Sequence, residues 1–140
     1  MKSGFEKSKE SNEKFNDFKE FLKNDNFRRF LGVEVVEIGK HYAKVKGVVK
    51  KEHLNFHNVC HGAYITALAD FAFAIAGNSD GKKRLAISIK TDFYKPAFEG
   101  DKLIAEAKKI RGDKVAFFEM TVFRDGDIIA KSEGIVYRKD

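Results

Sequence analysis

The chain has 140 residues, 43% of them hydrophobic and 14 of them Phe, which is the size of one ordinary domain with enough bulk for a core. No apolar run is long enough to cross a bilayer, and the opening MKSGFEKSKE has neither an apolar stretch nor a cleavage site, so no membrane partner and no signal peptide are expected. The net charge of +6 raises nucleic acid as a partner, but lysines alternate with acids over residues 1–24 and the excess sits in pairs such as Lys50-Lys51, so a solvated surface and no nucleic acid are expected.

Phe15, Phe18 and Leu22 recur at helical spacing among charges and predict a one-sided amphipathic helix ending near Asn24-Asp25, followed by a short helical piece over 26–30. From Gly32 the period changes to two. Residues 33–35 and 43–49, with Gly39-Lys40 between them, read as a strand hairpin, and residues 50–60 read as loop. The apolar stretch 61–76 predicts one central helix with Gly77-Asn78 at its C-cap. Strands follow over 85–93, ended by Pro96, and then over 102–110, 114–124 and 127–138, with Gly112-Asp113 and Asp125-Gly126 as turns. The expected fold is α+β: a mostly antiparallel sheet packed on a single helix, its last four strands a meander. Residues 1–26 form a helical extension, and 27–140 the domain. The lone Cys60 cannot close an internal disulfide, which fits a reducing, cytoplasmic setting.

One acid interrupts the central helix. At 100° per residue Ile65, Leu68, Ala69, Ala72, Ile75 and Ala76 share the face that meets the sheet, whereas Asp70 lies opposite among Ala63, Thr66, Ala67 and Ala74. Small neighbours admit a second backbone or a ligand. A solvated Asp, or one bonded to Thr66, is also compatible with the pattern. At the other end Cys60-His61-Gly62-Ala63 opens the helix, where backbone N–H groups lack intrahelical acceptors and suit a developing oxyanion. Gly62 and Asp70 are eight residues apart, ~12 Å along one helix, too far to serve one reacting carbon. Two chains related by a two-fold axis, with these helices antiparallel, bring the acid of one to the amide of the other.

His53, His57 and His61 are spaced by four beside Cys60 and would align as metal ligands on a helix. Asn55 and Asn58 break the stretch and the segment reads as loop, so no metal is expected.

The run LNFHNVCHGAYITALADFAFAIAGNS resembles the Asn-x-x-Gly-x-x-His-Gly-Gly…Asp signature of the hotdog-fold thioesterases, specifically the PaaI-like group. FLGVEVVEIGKHYAKVKGVV resembles that group's opening hairpin, and DFYKPAFEGDKLIAEA the strand, proline and Gly-Asp turn after its helix. The resemblance covers residues 27–140. It implies a hotdog fold, a sheet wrapped around one long helix, with dimers formed through paired sheets and tetramers as dimers of dimers. It implies that Asn55 holds or polarises a thioester, that the Gly62 N–H binds its carbonyl oxygen, that Asp70 is the acid, and that His61 shapes the loop and contacts the substrate as part of the catalytic set. Asn58 and Ala63 stand where relatives have Gly, and the Ala63 methyl narrows the acyl pocket. Lys95 and the cluster at Arg84 are candidates for the phosphates of coenzyme A. Ser88, one pleat from Ala86, is carried as a substrate contact, although the hydroxyl of some relatives aligns with Ala86. The implied activity is hydrolysis of a small or medium acyl-CoA, aryl groups included, with coenzyme A as part of the substrate and no separate cofactor. The rival readings are a non-catalytic acyl-CoA-binding hotdog protein and a hotdog dehydratase, whose catalytic His motif is not found.

Overall fold

The computed structural model describes residues 18–139. Residues 18–22 are helical, as the Phe18/Leu22 spacing predicts; Phe15 lies outside the described residues. Helix α1 (Asn26–Leu31) begins where Asp25 accepts the Arg28 N–H at 3.0 Å. Gly32, at φ 71°, closes it in the left-handed conformation that favours glycine.

Six strands follow: β1 (Glu34–Gly39), β2 (Tyr42–Val48), β3 (Arg84–Phe93), β4 (Lys102–Gly112), β5 (Val115–Arg124) and β6 (Asp127–Arg138). They form one antiparallel sheet in the order β1-β2-β4-β5-β6-β3. The expected four-strand meander is therefore three strands, β4-β5-β6. β3 does not pair with β4: the chain crosses over, β4 pairs with β2, and β3 lies on the outer side of β6. Nothing local in the sequence encodes that crossing, because antiparallel pairing with either neighbour satisfies the same alternation.

Helix α2 (Gly62–Asn78) lies across this sheet, and the face assigned to it is buried from Ile65 through Ala76. The helix also buries Tyr64, Phe71 and Phe73, so its apolar surface is wider than one stripe. Glycine in the sheet accommodates the bulk. A Cβ at Gly134 would sit 2.5 Å from the Phe73 ring, closer than packed atoms allow.

The helix runs two residues past its expected end. Asn78 donates to Ala74 O at 2.8 Å and Ser79 Oγ to Ala76 O at 2.9 Å, so the last carbonyls are satisfied without a left-handed glycine. Arg84, its side chain 2% exposed, then ties the helix end to the sheet. It donates to Gly77 O at 3.0 Å, Asp80 Oδ1 at 2.8 Å, and the Asp113 carbonyl and carboxylate at 3.1 and 2.9 Å.

Candidate active site

The loop before α2 is knotted around Asn55. Its Oδ1 accepts the N–H groups of His57 at 2.8 Å and Val59 at 3.4 Å, while its own N–H reaches Val59 O at 2.8 Å. The chain turns back at Asn58, which adopts φ 60° as asparagine can. With Oδ1 committed to the loop, the Asn55 Nδ2 has no partner among the described residues and remains a free donor.

The next residues are pinned from both sides: Cys60 N–H donates to Ala97 O and His61 N–H to His53 O, each at 2.7 Å. His53 is buried with its ring stacked on Tyr64 at 3.9 Å, and His57 is exposed. Among the described residues no three His, Cys, Asp or Glu side chains gather around a possible ion. His61 is the N-cap of α2, its Nδ1 accepting the Ala63 N–H at 3.1 Å. Tyr64 and Ile65 donate to His61 O. The Gly62 N–H is left without an acceptor among the described residues, at the positive end of a 17-residue helix. The space beside Gly62 is occupied by Phe93, whose ring would lie 3.0 Å from an added Cβ.

Asp70 is half-buried on the uncovered side of α2. Its carboxylate makes no hydrogen bond and no ion pair among the described residues, so it is neither bonded to Thr66 nor neutralised by a cation. Burial pushes its pKa up, and the nearby charge of Asp25 pushes it further. It lines a cavity of about 730 Å³, walled by Phe18, Leu22 and Asp25 on one side and by Ala74, Leu85 and Val136 on the other.

One chain brings Asp70 to this cavity but not its proposed collaborators. Asn55, His61, Gly62 and Ala63 stand at the opposite end of α2, and Gly62 is ~12 Å from Asp70 along the axis. Arg84 reaches the cavity wall, but four of its N–H bonds are directed at protein acceptors. It is held inside the fold and is not available to a phosphate, which corrects the substrate-binding expectation. Lys95 is exposed and lies 3.6 Å from Asp127 Oδ2. Ser88 is exposed beyond a bulge between Ala86 and Ser88 in the pairing with β6, so the clean alternation expected over 85–89 is broken. Asp25, Phe18 and Leu22 were not assigned to the site from sequence. Only their amphipathic spacing hinted that the segment packs on something.

Residues 57–131, more than half of the chain, match the thioesterase superfamily, and this stretch holds Gly62, Asp70 and β3 to β5. The chain belongs to that superfamily. This thioesterase-family chain is 49% identical over 118 residues to an Archaeoglobus fulgidus protein named "Putative esterase", spanning 83% of this chain and 77% of the relative. It is 34% identical over 100 residues to acyl-coenzyme A thioesterase PaaI of Escherichia coli, spanning 71% of each. The solved E. coli PaaI protein of the phenylacetic acid degradation operon superposes with a TM-score of 0.88 at 29% identity, covering 93% of this chain and 96% of that one. The thioesterase is thus PaaI-like, and its sheet laid on one long helix is the hotdog fold.

Proposed function

We propose that the protein hydrolyses acyl-CoA thioesters at sites shared between two protomers. One observation carries this reading: a half-buried carboxylate and a helix-terminal N–H, neither with a hydrogen-bond partner among the described residues, lie on one helix, ~12 Å apart. Antiparallel pairing of two such helices brings each to the other's complement. The edge strand β3 supports that pairing, since it exposes Leu85, Ile87 and Phe93 beside an unpaired edge. Tetramers form by pairing of these dimers.

In this site the Gly62 N–H of one protomer receives the thioester carbonyl oxygen, and the free Nδ2 of Asn55 is the second donor. A donor of this kind lowers the barrier by roughly 3–4 kcal/mol, because it is already oriented where charge develops. The carboxylate of the partner's Asp70 takes a proton from water as the water attacks the carbonyl carbon, and coenzyme A leaves as the thiol. Its raised pKa makes it a stronger base than an exposed carboxylate. Small and medium acyl groups, aryl ones included, are the substrates, and exposed Lys95 is the cation offered to the phosphates of coenzyme A. The free thiol of Cys60 fits work in the cytoplasm.

The test is thiol release from a panel of acyl-CoAs by the wild type, Asp70→Asn and Gly62→Pro. Proline is compatible with the first helical position and removes the N–H; Gly62→Ala, which sets the same Cβ against Phe93 but keeps the N–H, is its control. Asp70→Asn and Gly62→Pro alone should each be at least 100-fold slower. After unfolding and refolding together in equal amounts, they should recover about a quarter of wild-type activity, since half of the dimers then hold one intact site of two. No recovery, with mixed dimers verified by mass, overturns the shared site. Binding of acyl-CoA by the wild type without thiol release overturns the enzyme in favour of a non-catalytic binder.

A further inference from the structure

Residues 18–22 lie outside the stretch that matches the superfamily, yet Phe18 and Leu22 pack on the core, and both line the cavity that holds Asp70. Phe21 lines it too and is 68% exposed, so it stands at the rim. The opposite wall runs along α2 from Asp70 through Ala74 to Asn78, two turns or ~12 Å. Ala74 is the smallest side chain on that path and leaves the space open. Charged groups collect at the ends, with Asp25 and Asp70 at one and Lys82 and Lys83 near the other, so the middle of the cavity is apolar.

We propose that the segment ending in Asp25 is the outer wall of the acyl pocket, and that Phe18, Phe21 and Leu22 set the length of acyl group accepted beside Asp70. The assignment rests on the thioesterase reading above. With the carbonyl carbon next to Asp70, the acyl chain runs toward Asn78 between Ala74 and the Phe18/Leu22 pair. Its far end is stopped by side chains that the N-terminal segment contributes and that the superfamily-matching core does not. Removing bulk from that wall lengthens the pocket, and adding bulk at Ala74 shortens it.

The experiment measures kcat/KM for acetyl-, hexanoyl-, decanoyl- and phenylacetyl-CoA in the wild type, Leu22→Ala, Phe21→Ala and Ala74→Leu. The decanoyl-to-hexanoyl ratio should rise about tenfold in Leu22→Ala and Phe21→Ala, a change on the scale of one or two methylenes in a hydrophobic pocket. It should fall about tenfold in Ala74→Leu. A ratio within twofold of wild type in all three variants, or an equal loss on every substrate, overturns the proposal. Phe21 is exposed, so its variant folds even where Leu22→Ala does not. If the wild type releases thiol from no substrate, the activity reading fails, and the wall is judged by melting-temperature shifts with hexanoate, decanoate and phenylacetate. Stabilisation of the wild type by decanoate that Ala74→Leu loses keeps the pocket; no stabilisation of the wild type by any of the three overturns it.

Discussion

Asp25 and Asp70 face one cavity: Asp25 fastens the start of α1 through the Arg28 N–H, and its charge raises the pKa of Asp70 beyond what burial does. Two acids in one pocket resist ionising together. The acid limb of activity should therefore lie above the ordinary carboxylate range, because in the proposed reaction Asp70 works in its base form. Asp25→Asn keeps a competent helix cap and deletes the charge. The limb should move to lower pH while remaining elevated, since burial is the larger cause. Lys82→Met, at the far end of the same cavity, is the control and should leave the limb in place, since burial and Asp25 are the causes of the shift. A pH profile of kcat/KM for the two variants measures the difference. A limb that stays in place in Asp25→Asn refutes the coupling.

The role proposed for Asp70 comes at the expense of the fold. Its folded pKa is raised, so the folded state holds the proton more tightly than the unfolded chain, and stability declines as pH rises through that window. Within one protomer the charge has no partner among the described residues, so burial makes it a liability at neutral pH. Asp70→Asn should melt higher by about 1 kcal/mol equivalent while losing turnover. Calorimetry at pH 7 decides this, and a lower melting temperature would show that the carboxylate has a stabilising partner.

Burial alone would raise the pKa of Asp80, but hydrogen bonds from Arg84, His41 and the Lys82 N–H, with the charge of Arg84, hold it well below the usual range. The stability it supplies is complete above the unfolded carboxylate value and is lost as pH falls below it toward the folded pKa. Arg84→Met should destabilise the fold by about 3 kcal/mol, because it leaves Asp80 with less than its full set of partners. It should also flatten the acid decline of stability between about pH 4 and 2. Urea unfolding at several pH values reads both effects.

Cys60 is 4% exposed, and burial, helped by the charge of Asp101, pushes its thiol up to about 11. At pH 8 the native chain should react with a thiol reagent at least about tenfold more slowly than the unfolded chain. Spectrophotometric titration with and without denaturant measures the ratio. Rapid labelling of the native protein would place Cys60 at the surface.

Elements with a local signature were legible in the chain itself. The turns at Gly112-Asp113 and Asp125-Gly126 bound β4, β5 and β6 to within two residues, since hairpin chemistry is local. The buried face of α2 followed from its period, and so did the position of Asp70 on the opposite side. The end of α2 did not, because the groups that extend it include Arg84, which follows in β3. Arg84 itself read as a cation for the phosphates of coenzyme A. Its burial depends on Asp80 and Asp113, and Asp113 is 29 residues away.

By itself the sequence determined the number of strands, one long helix, and the identity of the lone acid and of the glycine at the helix start. These depend on side-chain period and on backbone conformations available to particular residues, both properties of neighbours in the chain. Only the tertiary structure decided that β3 lies beyond β6 and that Arg84 is consumed by the fold. It alone placed residues 18–25 over the cavity beside Asp70. Those facts depend on contacts between distant segments, where many pairings satisfy the same local pattern and packing selects one.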